Sequence, residues 1–322
     1  MCKRQKMIAL TGPTASGKTA LALHLAQVLS GEIISCDSMQ IYREMDIGTA
    51  KATPSEQLVV PHHLIDILSP SEPFSAADYA VRAEAAALDI LSRGKLPILT
   101  GGTGLYLEAL RSARHAQDTR SDPVFREEMR LFAEREGNDA LHARLCAVDP
   151  ESAEAIHKNN VTRVIRALEI HHATGKPKSV VDREASTENP RLKILNITLT
   201  FRSRELLYER IDRRVDAMME EGLLEETRRL YEKGYLEKGT TASAAIGYKE
   251  CLGAVRGEES PDEARAALKL ATRHYAKRQI TWFSAREHIP LYADEDGRMK
   301  DTEVLLSEAL ALVRAFLNEE DQ

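Results

Sequence analysis

The residues most able to do chemistry sit near the start of the chain, in the run Gly12-Pro13-Thr14-Ala15-Ser16-Gly17-Lys18-Thr19. Its spacing is G-x-x-x-x-G-K-[ST], which suits the grip of a polyphosphate. Glycines let successive backbone N–H groups turn inward at the positive end of a following helix. Lys18 adds a mobile cation, and the Thr19 hydroxyl can complete a Mg²⁺ shell. The flanks fit: Met7-Ile8-Ala9-Leu10 reads as a short buried strand, and 19–29 reads as a helix with Leu21, Leu25 and Val28 on one face.

Which phosphate the loop holds is a separate question. NTP-hydrolysing proteins with this loop place a Mg²⁺-binding aspartate at the end of a later strand. Here Pro97-Ile98-Leu99-Thr100 reads as that strand, and it ends in Gly101-Gly102-Thr103-Gly104, with no acid. That counts against a motor or a GTPase and leaves a small-molecule kinase open. A second strand, 32–36, runs into Asp37-Ser38-Met39-Gln40-Ile41-Tyr42-Arg43. In a parallel α/β sheet the carboxyl ends of the strands line the ligand crevice, so Asp37 should face the loop's contents. A carboxylate there could cap a turn; beside a phosphate loop it suits a general base.

The elements that would position these groups alternate, strand with helix, up to about Arg111; an alanine-rich helix over 76–92 precedes the 97–100 strand. Alternation of this kind predicts an α/β fold, a parallel sheet of P-loop NTPase type covered on both faces. From 122 to 174 the pattern is mostly helical, with helix starts at Asp122-Pro123 and Asp149-Pro150 and a stop at Gly175-Lys176-Pro177. Strand character returns over 192–200, and 204–286 is helical again. The expected organisation is a core of 1–115 and 190–322 with an inserted helical domain at 116–189.

Bulk composition narrows the class. The four cysteines are far apart, so neither a zinc site nor a disulfide framework is suggested, and a cytoplasmic location is expected. No apolar run approaches the roughly 20 residues needed to cross a bilayer, so no membrane partner is expected. A net charge of -6 does not announce a nucleic-acid binder, which puts weight on local patches. Arg265, Lys269, Arg273 and Lys277 recur every four residues and continue into Arg278, a basic stripe suited to RNA phosphates. Arg163 and Arg166 form a smaller patch. The pairs His62-His63 and His171-His172 lack the carboxylate or cysteine spacing of a metal site. Trp282 and Phe283 read as core packing.

Taken with Gly101-Gly102-Thr103-Gly104-Leu105-Tyr106, Arg163-Val164-Ile165-Arg166-Ala167-Leu168-Glu169, Ala245-Ile246-Gly247-Tyr248-Lys249-Glu250 and Tyr275-Ala276-Lys277-Arg278-Gln279-Ile280-Thr281-Trp282-Phe283, the loop and the Asp37 segment resemble the tRNA dimethylallyltransferases. The blocks run in order over nearly the whole chain. The resemblance implies transfer of a dimethylallyl group from dimethylallyl diphosphate to N6 of the adenine 3′ of the anticodon in tRNA. It implies Asp37 as general base, Thr103 and Arg214 around the leaving group and target base, and the phosphate loop with Mg²⁺ holding the diphosphate. Arg210 and Arg213 are alternatives for the arginine. Ser38, Met39 and Gln40 would read the base. Further tRNA contacts implied are Arg126, Thr162, Arg163, Arg166, Gly247, Tyr248, Lys249, Arg273, Lys277 and Arg278. The chain departs from the family's glutamines at Thr162 and Ala244, and it lacks the zinc finger of eukaryotic members. A monomer is expected. The rival readings are a metabolite kinase, prenylation of free adenine nucleotides, and a non-catalytic binding module.

Overall fold

The computed structural model describes residues 4–112, 122–184, 188–237 and 239–319. It divides into two compact units, 1–111 with 190–322, and 112–189. In the first, β1 (Gln5–Thr11) leads into the phosphate loop and α1 (Lys18–Leu29). The helix buries Leu21, Ala22, Leu25 and Ala26, whereas Val28 is 50 % exposed, so the apolar face lies one step round from the expected one. β2 (Gly31–Ser35) is buried throughout. Then come α2 (Pro54–Val59), the two-residue β3 (His62–His63) and α3 (Ala76–Ser92), whose start is fixed by a Ser75–Asp78 capping box. β4 (Leu96–Gly101) and α4 (Gly104–Arg111) complete this half.

The second unit is helical: α5 (Pro123–Glu136), α6 (Asn138–Val148), α7 (Pro150–Ala155), α8 (Val161–Thr174) and α9 (Lys178–Glu184). Asp122 and Asp149 cap α5 and α7 at the Asp-Pro pairs. Leu141, Leu145, Val164 and Leu168 belong to a core of its own.

The first unit resumes with β5 (Leu192–Thr200), α10 (Arg204–Glu220), α11 (Leu223–Glu232), α12 (Tyr248–Arg256) and α13 (Pro261–Ser284). It ends with β6 (Ile289–Tyr292), a small hairpin of β7 (Asp294–Glu295) and β8 (Arg298–Met299), and α14 (Thr302–Asn318). The six-stranded sheet has the order β3-β2-β4-β1-β5-β6, and every pairing in it is parallel. One face packs Ile8, Leu10 and Ile98 against α1 and α14; the other packs Met7, Ala9 and Leu99 against α3 and α4. A third cluster joins Ile41, Tyr42 and Met45 to α10, α11 and α12. Strand register sets where the loops emerge. Leu10 and Ser35 both pair with Thr100, so β1, β2 and β4 end level, side by side. The phosphate loop, Asp37 and the Gly101–Gly104 turn therefore leave the sheet at one place.

A candidate active site at the carboxyl ends of β1, β2 and β4

Lys18, Thr19, Asp37, Arg214, Tyr275 and Gln279 line one recess, together with Thr100, Gly101 and His62. The Lys18 Nζ donates to Pro13 O at 3.2 Å, folded back on its own loop. Burial, and then the charge of Arg214, pull the Lys18 ammonium down to about 8, with Asp37 opposing. Arg214, on α10, is itself pulled down, chiefly by burial, and Asp37 again opposes. Cations crowded this closely against one carboxylate form a site short of negative charge, which is what an incoming anion supplies.

The Asp37 turn is wound by its own side chain: Oδ1 accepts from the Met39 N–H at 2.9 Å. Thr103 holds it from the turn after β4. Its Oγ1 accepts from the Ser38 N–H at 3.0 Å, and its N–H donates to Cys36 O at 3.1 Å. The Tyr275 hydroxyl hydrogen-bonds to Thr103 and is raised above its ordinary range, mainly by burial.

Arg210, Arg213 and Arg214 on α10 separate by position. Arg214 reaches the recess with Asp37. Arg210 donates from Nε to Ala15 O at 2.8 Å and so steadies the phosphate loop. Arg213 is exposed beside Glu209.

Several residues expected at RNA are otherwise occupied. Gln40 accepts from the Ser35 hydroxyl at 2.9 Å and donates to Thr49 O and Ala50 O at 3.2 and 3.3 Å, so its amide ties a loop and is not free to read a base. Tyr248 is fully buried and donates to Glu226 Oε1 at 2.7 Å, which removes it from any RNA surface. The basic stripe on α13 is the seam with α10: Arg273 grips Asp212, Lys269 bonds Asp216 at 2.8 Å, and Arg265 approaches Asp216 at 3.9 Å. The single-sign face is neutralised by carboxylates from a neighbouring helix, which inspection of one helix cannot reveal. Lys277 and Arg278 remain exposed beyond that seam, as does Lys249 on α12. Gly247 caps α12, its N–H donating to Glu250 at 2.9 Å. Ser38 and Met39 are half-buried in the turn after Asp37. In the second unit Thr162 and Arg163 are exposed at the start of α8, whereas Arg126 and Arg166 converge on the fully buried Glu169.

Other residues enter the site that sequence reasoning did not place there. His62 is one. Its Nδ1 lies 2.7 Å from Val60 O, so the proton sits there, and the buried Nε2 has no partner among the described residues. Burial keeps the ring neutral by lowering its pKa. Tyr275 and Gln279 are two more, four residues apart on α13. The legible signal was Gln279 itself: a polar side chain in line with Leu268, Thr272, Ala276 and Phe283 on a buried face needs a partner.

A family model described as IPP transferase matches residues 40–286. The chain belongs to the IPP transferase family. An IPP transferase relative from Shouchella clausii, named tRNA dimethylallyltransferase, is 53% identical over 297 residues, 92% of this chain and 94% of that one. A crystal structure of the full-length tRNA isopentenylpyrophosphate transferase from Bacillus halodurans is 42% identical, with TM-score 0.68 over 97% of this chain and 98% of that chain. The structure of a eukaryotic dimethylallyltransferase acting on tRNA superposes with TM-score 0.83 at 29% identity, over 98% of this chain and 80% of that chain. The IPP transferase match begins at Gln40, so the phosphate loop and Asp37 lie ahead of it.

Proposed function

We propose that this chain transfers the dimethylallyl group of dimethylallyl diphosphate to N6 of the adenine 3′ of the anticodon in tRNA and releases diphosphate. The observation that carries the reading is the convergence of Lys18, Asp37 and Arg214 on one recess at the end of the sheet, in a chain of this family. The exocyclic amine of adenine is a weak nucleophile, since its lone pair is delocalised into the ring. An allylic diphosphate compensates by ionising readily: the carbon–oxygen bond breaks as the nitrogen–carbon bond forms, and negative charge grows on the departing group. Preorganised donors aimed at that charge are the protein's main contribution. The loop amides, Lys18 and Arg214 supply them. Asp37 orients the amine and takes its proton, and Thr103 fixes the turn that carries Asp37.

Mg²⁺ would be held by the Thr19 hydroxyl, in reach of the same recess as Asp37. No group of three His, Cys, Asp or Glu side chains gathers for a metal among the described residues. That donor set suits an ion bound mainly through diphosphate oxygens and water, as Mg²⁺ prefers. The ion supplies countercharge to the diphosphate. The adenine reaches the site by leaving its stack, at a cost of a few kcal/mol in a loop that is already partly unpaired. No helix among the described residues is long and apolar enough to cross a membrane, and the chain acts as a monomer in this reading.

Asp37→Asn tests the base. Turnover should fall by roughly 10²–10⁴-fold, while both substrates still bind; diphosphate affinity should hold or rise, because a negative charge beside Lys18 and Arg214 is gone. Turnover within fivefold of the parent would remove Asp37 from that role.

A further inference from the structure

The Thr14 amide of the phosphate loop already has a side-chain partner. The Thr14 N–H donates to Gln279 Oε1 at 2.8 Å, and Gln279 Nε2 donates to Gly102 O at 3.0 Å. Gln279 is 5 % exposed, on the buried face of α13. Its carboxamide thus bridges the loop after β1 and the turn after β4, and it fills the gap between them. A Cβ at Gly102 would stand 2.1 Å from Nε2, so the turn needs glycine for the amide to fit. Gln279 also lines the recess with Lys18 and Thr19.

The cradle has a direction. The amides that open α1, at Lys18 and Thr19, sit at the helix's positive end and take the first phosphates. A longer phosphate chain would run back along the loop towards Thr14, which lines the same recess. There the N–H that would meet it is engaged, and the acceptor's place is held by a neutral carboxamide oxygen. Displacing that amide breaks both of its hydrogen bonds and leaves Gly102 O, on the turn beneath, without its donor.

We propose that Gln279 sets the number of phosphates the loop accepts, standing in for the third so that a diphosphate fits and a triphosphate does not. The inference rests on a prenyl diphosphate as donor but concerns the cradle alone. It explains how a loop of the nucleotide-binding pattern takes a shorter anion without an acidic residue at the end of β4.

The test is calorimetric titration of the full chain, with Mg²⁺ present, by inorganic diphosphate and inorganic triphosphate. Charge alone favours the triphosphate; the parent should nevertheless bind it at least tenfold more weakly. Gln279→Ala frees the Thr14 N–H and the space beside it, so triphosphate binding should strengthen fivefold or more while diphosphate stays within threefold. Gln279→Glu keeps an acceptor for Thr14 and adds a negative charge, and should weaken triphosphate more than diphosphate. It provides the reading if the alanine variant does not fold. Equal binding of the two probes by the parent overturns the proposal, and so does an equal loss of both in Gln279→Ala, which would make the residue a tether only. A chain that separates the probes but transfers no prenyl group contradicts the donor and leaves the cradle assignment standing; transfer with equal probe binding does the reverse.

Discussion

At the scale of residues, the site sets two buried cations, Lys18 and Arg214, against one carboxylate, Asp37. Lys18 is held down to about 8 by burial and by Arg214, so it is charged below that pH and loses its proton above it. An anion binds the charged form. Affinity for the prenyl diphosphate should therefore be level up to about pH 8 and fall above it, approaching tenfold per unit, with proton uptake on binding. Titrations at pH 7.5 to 9.5 in buffers of differing ionisation enthalpy check this, and Lys18→Arg should flatten the slope. A level profile in the parent would mean the ammonium is not the titrating group. That Lys18, Thr19 and Asp37 would share one recess was legible, because G-x-x-x-x-G-K-[ST] and a strand-end aspartate show in their types and spacing. Which residues were spent elsewhere was not. Arg273 and Lys269 face Asp212 and Asp216, and Gln40 faces Thr49 and Ala50, partners set by packing that no single segment displays.

At the scale of elements, one carboxylate organises the loop beyond the Asp37 turn. Glu226, on α11, is 2 % exposed and accepts from the N–H groups of Asp46, Ile47 and Gly48 at 3.0–3.2 Å, and from the Tyr248 hydroxyl. Gly48 lies so close to the Tyr248 ring that a Cβ there would stand 2.5 Å from it. The loop goes on to Thr49 and Ala50, which line the recess. Tyr248→Phe removes one donor to a buried charge and should cost about 1–3 kcal/mol of stability, read by denaturant unfolding, with KM for tRNA unchanged within twofold. A raised KM for tRNA at parental stability would restore Tyr248 to the RNA surface. Of the long elements, 76–92 and 192–200 were read at the bounds the structure gives them, whereas the 17-residue α14 went unread. β3, β6, β7 and β8 have two to four residues each, too few for periodicity to register, and only pairing with a neighbour defines them.

At the scale of the whole molecule, each unit has its own work. The unit built on the parallel sheet brings three strand ends level, and that geometry comes from the pairing of Leu10 and Ser35 with Thr100. The helical unit carries a separate core and exposes Thr162 and Arg163. The chain enters and leaves it through an antiparallel bridge between Ser112 and Glu188; the change of period in the sequence placed the insertion at 116–189, and the compact unit runs 112–189. With a net charge of -6, RNA affinity should rest on local cations such as the exposed Lys249, Lys277 and Arg278, and should fall with salt in proportion to the phosphates they neutralise. The most direct measurement incubates the intact chain with labelled dimethylallyl diphosphate, Mg²⁺ and unmodified tRNA, with no nucleotide present, and maps the product by mass spectrometry. Label on the adenine 3′ of the anticodon is the expected result. No label without ATP, or label on free AMP and none on tRNA, would contradict it.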